Sequence, residues 1–153
     1  MIKMPKENIL VKGKVRVEII DKKTGKVVDR SEHENAFVAA GAQYLMQCLL
    51  GTATLQAHNT VNLYTTTGSL IKALTGTYSS IADTGSAKQV TLTATDGSTD
   101  TYTFQYEGIS YGSQAEYGAN AFCNKESTAK TKGSDQTAKV TWTITIGYSA
   151  IPI

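Results

Sequence analysis

The sequence is poor in the residues that usually build chemistry. It holds two cysteines and two histidines in 153 residues. Cys48 and Cys123 lie far apart, and His33 and His58 share no spacing with them, so no metal-ligand set is spelled out. There is no phosphate-binding glycine loop, no GxGxxG and no CxxC. No serine set in a nucleophile elbow and no catalytic residue of another kind is expected, which argues against an enzyme, and no cofactor or metal is implied. Each cysteine sits among apolar residues. Two free, buried thiols are the expectation, with a disulfide as the alternative. No stretch approaches the roughly 18 apolar residues of a membrane span. The opening MIKMPKENILVKG lacks the apolar core of a signal sequence. Nothing therefore marks the chain for secretion or a membrane.

Charge is also scarce, at 18% of residues against a usual share of about 25%. Thr, Ser, Gly and Tyr fill the difference, a composition that suits pleated, half-buried surfaces. Apolar residues make up 41%, enough for one domain with a real core. The net charge is +2, but residues 1–30 carry nine basic side chains against four acidic ones. Those lysines alternate with Val and Ile instead of clustering with Arg and aromatics. They read as a solvated strand face, not a nucleic-acid surface.

Residues 1–10, with Pro5, read as an N-terminal arm preceding a single domain over 11–153. From Val11 the chain alternates: Val11, Gly13, Val15, Val17 and Ile19 against Lys12, Lys14, Arg16 and Glu18. That period of two predicts a strand with one dry face. DKKTGK turns it, and residues 26–33 return, giving a hairpin. Residues 34–51, ENAFVAAGAQYLMQCLLG, break the rhythm. Helical spacing predicts a helix over 38–50, N-capped by Asn35 and stopped by Gly51. With no charged side chain, it is expected to be buried on most sides. Strands follow at 61–67 and 70–75, then a long loop over 76–87. A second hairpin is predicted over 90–106, turning at Asp96–Gly97, with Tyr102, Phe104 and Tyr106 dry and Glu107 wet. A short strand at 119–124 and a polar loop at 127–135 precede the clearest strand, in which Ala138, Val140, Trp142, Ile144 and Ile146 share one face. Trp142, the only tryptophan, is the expected core anchor. These elements predict a mainly β protein. Its expected form is an antiparallel β-sandwich, jelly-roll or Ig-like, with one short buried helix.

The two histidines read as surface residues. Asp96, Asp100 and Asp135 read as turn formers, with Ca²⁺ ligation as the alternative. Tyr78, Tyr111 and Tyr117 stand in Gly/Ser-rich loops and are the candidate interface residues.

The order of these motifs resembles small virion structural proteins of tailed bacteriophages, described as tail, tail-fibre or minor structural proteins. The matching residues are TGKVV at 24–28, Asn35, Gly41, the apolar run 45–50, Lys130 with Thr131, and VTWTI at 140–144. The chain departs from the type in its middle, where a Gly-x-Gly segment is replaced by the well-separated Gly68 and Gly76. The resemblance implies a homo-oligomeric structural component of the virion, assembled in the host cytoplasm through contacts with itself and other virion proteins. Placement on the tail or fibre comes first, and decoration of the head next. A glycan-binding module contacting the host surface is the alternative. No nucleic acid, membrane or cofactor enters that picture.

Overall fold

The computed structural model describes residues 7–37, 39–52, 56–118 and 121–150. Ten strands and one helix follow in the order β1 (Glu7–Asp21), β2 (Val27–Phe37), α1 (Ala39–Leu50), β3 (Thr60–Tyr64), β4 (Leu70–Thr75), β5 (Thr77–Tyr78), β6 (Ala82–Asp83), β7 (Ala87–Asp96), β8 (Tyr102–Ser110), β9 (Cys123–Lys132) and β10 (Gln136–Ala150). They form two packed antiparallel sheets, consistent with a β-sandwich. The first runs β2-β1-β10-β7, with β5 and β6 along the outer edge of β7. The second runs β4-β3-β8-β9.

The alternation read in β1 and β10 fixes the core. Val15, Val17 and Ile19 lie opposite Trp142, Val140 and Ala138 in register. All six are buried, and Leu92 and Ala94 of β7 continue the layer. Val61, Leu63, Phe104, Ile109 and Cys123 face them from the second sheet. Trp142 is the largest fully buried side chain. Burial ends at Ile146, which is 42% exposed. Past Gly147, the last β10 residue paired to β7, β1 and β10 run on as a two-stranded ribbon, with residues 7–9 paired to 148–150. The expected arm is thus divided. Residues 7–10 belong to β1, and 1–6 fall outside the described residues.

Both corners of the sandwich are bridged by the chain. At one, β2 pairs with β1 over residues 27–35 and then hands Ala36 and Phe37 to β9. At the other, β4 in one sheet becomes β5 in the other across Gly76. A Cβ on Gly76 would lie 2.6 Å from Leu92 Cδ1 and 3.1 Å from the Thr93 carbonyl oxygen, so the corner packs against bare backbone.

Several expectations are corrected. β7 and β8 do not form a hairpin: β7 pairs with β10 and β8 with β3 and β9, so residues 97–101 cross between sheets. Asp96 still shapes that crossing, accepting the Ser98 N–H at 2.9 Å and the Tyr102 hydroxyl at 2.6 Å. The loop predicted over 127–135 is mostly strand β9. Residues 76–87 contribute two short edge strands. Asn35 is not the helix cap. It lies in β2 opposite Gly13, and its Oδ1 accepts the Trp142 indole N–H at 3.0 Å.

Candidate functional site

Two regions gather functional side chains: the end of the sandwich that carries α1, and the corner where β2 leaves β1 for β9.

The helix ends as its sequence requires. Gly51 takes φ 71°, its N–H bonds to Cys48 O, and the Thr52 N–H reaches Gln47 O. That double bond is the Schellman arrangement. Its burial, however, is one-sided. Gly41 is buried, and Tyr44, Leu45 and Cys48 are half-buried. Met46, Leu49 and Leu50 are 58%, 82% and 74% exposed. Absence of charge therefore does not mean enclosure here. The spacing 46, 49, 50 puts three large apolar side chains on one outward stripe.

Beside the inner face stands His58. Its ring centroid lies 4.3 Å from Tyr44, 5.4 Å from Tyr111 and 5.9 Å from Phe122. The Tyr78 hydroxyl donates to His58 O at 2.5 Å. His58 is thus a packing centre, not the surface histidine expected. Burial pushes the Tyr78 phenol up to about 12, with Cys123 adding a smaller push in the same direction. Tyr78 therefore serves as a neutral donor that ties β5 to the 56–59 segment. A cleft of about 210 Å³ opens between helix and loop, bordered by Gln43, Gln47, Tyr111 and Phe122. Tyr117 lies elsewhere, its ring 4.6 Å from Tyr106 and 5.8 Å from Tyr64. The three candidate tyrosines therefore do not form one surface. Tyr78 and Tyr111 meet through His58, and Tyr117 borders a separate cleft with residues 66–69.

Ser110 does stand in a G-x-S-x-G string, GISYG at 108–112. It is no elbow. No helix follows it, its Oγ accepts from Asn62 Nδ2 at 2.7 Å, and its proton goes to Gly112 O at 2.8 Å. Both cysteines are free. Burial lifts the Cys123 thiol to about 12, so it is inert at neutral pH. No group of three potential metal ligands occurs among the described residues, and no helix among them is long and apolar enough to cross a membrane.

The second region is the polar corner. Asp29, Ser31, His33 and Asn35 lie opposite Ile19, Val17, Val15 and Gly13 and so share the inward face of β2. β9 faces them with the buried Ser127, Lys130 and Lys132. Its register shifts there. Phe104 lies opposite Lys130 and Tyr106 opposite Glu126, so residues 127–129 face the single Gln105. This bulge turns Glu107 inward, where it is fully buried. Lys132 is satisfied by three carbonyls, of Ser98, Asp100 and Gly133, at 2.5, 2.7 and 3.2 Å. It clamps the sheet-crossing segment. Lys130 Nζ lies 3.0 Å from Asp29 Oδ1. Glu107 Oε1 accepts the Ser127 hydroxyl at 2.6 Å. Glu107 Oε2 and Ser31 Oγ are buried atoms without a hydrogen-bond partner among the described residues.

Burial raises the Glu107 carboxyl to about 8, against the opposing pull of Ser127, Lys130 and Lys125. The folded protein therefore keeps this proton at pH values where the unfolded chain has released it. The stabilisation is complete below the ordinary value of 4.5 and is lost as pH rises to about 8. Melting temperature should decline across that window, and Glu107→Gln should flatten the decline. A pH series of thermal melts on both proteins checks this. Asp96 has the opposite sign. Burial alone would raise it, but Tyr102, Ser98 and Lys72 outweigh burial and hold it at about 2, so its contribution is complete above the ordinary value of 3.8 and is lost as pH falls from there to about 2.

No protein-family model, curated protein or solved structure matches the chain.

Proposed function

We propose that this protein is a structural component of a tailed-phage particle that works by protein–protein contact, on the tail or a fibre first and on the head as the alternative. The observation that carries the contact reading is the outward stripe Met46, Leu49, Leu50 on an uncharged helix. The outer edge of β7 is a weaker alternative surface, because β5 and β6 partly cover it. The particle reading is supported by the motif order described above, from the TGKVV turn to the VTWTI strand.

The test separates folding from assembly. Met46→Lys with Leu49→Glu changes exposed positions, so the isolated protein should melt within about 0.5 kcal/mol of the parent. Incorporation into particles, measured by complementing a deletion phage, should fail. Normal incorporation of the folded double variant would remove the helix from the contact surface.

A second reading, recognition of a neutral glycan, has one observation in its favour. The cleft by Tyr111 pairs an aromatic ring, 41% exposed, with the amides of Gln43 and Gln47, and no Asp, Glu, Lys or Arg lines it among the described residues. At about 210 Å³ it falls below the roughly 300 Å³ of an ordinary ligand pocket, which suits a single sugar ring. Binding to a glycan array that disappears with Tyr111→Ala would favour this reading.

A further inference from the structure

We propose that Lys130 and Asp29 condense into an intramolecular isopeptide bond, with Glu107 as the proton-transfer group. Three observations at the polar corner converge on this. Lys130 is 2% exposed, and its Nζ lies 3.0 Å from Asp29 Oδ1. The carbon to be attacked is one bond beyond that oxygen, and bound groups react from separations of about 3–3.5 Å. Glu107 is buried on the neighbouring strand β8, its Oε1 accepts the Ser127 hydroxyl from the β9 bulge at 2.6 Å, and its Oε2 has no partner among the described residues. Buried polar atoms are almost always paired, and those left unpaired call for a reason. Ser31, whose hydroxyl also has no partner among the described residues, sits on the same face of β2 two residues from Asp29. Finally, the β9 bulge at 127–129 adjoins the site, a common device for re-aiming a side chain beside reacting groups.

The step balances. The Lys130 ammonium gives one proton to the Asp29 carboxylate, leaving a free amine and a carboxylic acid. The amine lone pair attacks Asp29 Cγ and forms the C–N bond. The Glu107 acid protonates the departing hydroxyl of Asp29, the C–O bond breaks, and water leaves. The Glu107 carboxylate then takes the remaining surplus proton from nitrogen and returns to its acid form. The net change is an ammonium and a carboxylate becoming an amide and one water, with no oxidant or cofactor. Asp29 is half exposed, which gives the water an exit. Condensation of separate ions is unfavourable in water, but groups held in register act at effective concentrations of about 10⁵–10⁸ M.

The bond would close a sparsely paired part of the frame. Among the described residues β2 and β9 share two ladder pairs, Ala36 with Asn124 and Phe37 with Cys123, and then diverge. A covalent link from Asp29 to Lys130 would join the two sheets at the far end of that divergence.

Intact mass of the denatured full chain is the test. The parent should be one water lighter than its sequence, and a peptide map should join the segments carrying Asp29 and Lys130. Lys130→Arg keeps the ion pair without a nucleophilic amine, and it should restore full sequence mass in a folded protein. Glu107→Gln should slow or abolish the mass loss. Mapping is essential, because an Asp–Gly step such as Asp96–Gly97 can also lose water by closing a succinimide. Parent protein at full sequence mass after prolonged incubation would overturn the bond. So would a water loss that persists in Lys130→Arg or maps to another site. Unaltered cross-linking in a folded Glu107→Gln variant would remove Glu107 from the reaction.

Discussion

Replacing Trp142 with alanine should lower the unfolding free energy by about 3–5 kcal/mol, the usual cost of truncating a large aromatic in a packed core. The indole is fully buried in the layer made by Val15, Val17, Val140 and Leu92. Its loss leaves a cavity that two bridged sheets cannot easily close. A domain of this size is stable by only about 5–15 kcal/mol, so the variant should sit near the edge of folding at physiological temperature. Urea titration followed by circular dichroism is the appropriate measurement, because the variant has no tryptophan to report fluorescence. Trp142→Phe divides the effect. It keeps most of the apolar volume but removes the donor to Asn35 Oδ1, and the lost hydrogen bond alone should cost about 1 kcal/mol. An alanine variant with an unchanged denaturation midpoint would mean that Trp142 does not anchor the core.

The second large effect is expected at a residue with no side chain. A Cβ added to Gly13 would fall 1.5 Å from Asn35 Oδ1 and within 2.8 Å of its Cγ and Nδ2, so the whole amide group occupies that space. Gly13→Ala must therefore expel Asn35 and break its bond to Trp142. Overpacking costs about 1–3 kcal/mol, and loss of the bond about 1 more. The expected total is about 2–4 kcal/mol. The clash is specific to one partner, which makes a double-mutant cycle informative. Gly13→Ala combined with Asn35→Ala should cost clearly less than the sum of the single changes. Strict additivity would show that Gly13 is required for backbone conformation and not to make room for Asn35.

The sequence made some of this arrangement legible. β1 and β10 could be read because their dry faces alternate without interruption through Val15, Val17, Val140 and Trp142. The stop of α1 was readable because a left-handed C′ position strongly favours glycine. The pairing of β7 was not. Asp96–Gly97 says that the chain turns, but turn chemistry does not say which sheet the next strand joins. β9 was missed because Lys130 and Lys132 look like surface residues until their partners, Asp29 and the three carbonyls, are brought in by distant parts of the chain. Glu107 was assigned to the wet face by counting from Tyr102, Phe104 and Tyr106. The shift at Gln105 reverses that count, and no local pattern announces a bulge that depends on the neighbouring strand. At the helix end, the tyrosine-bearing loops were visible as candidates, but their meeting around His58 depends on contacts between remote segments.

The pairing of β1 with β10 also sets the timing of folding. Every residue pair in that ladder, from Glu7 with Ala150 to Asp21 with Gln136, is separated by most of the chain. Closing such long loops costs entropy before any contact is gained, and topologies of this kind fold slowly. On the ribosome, β1 emerges well before β10, and of its two ladder partners only β2 is at hand until β10 has been synthesised. During that interval its dry face, Val15, Val17 and Ile19, lacks the layer that Trp142 completes. That uncovered face leaves the nascent chain vulnerable to aggregation until β10 arrives.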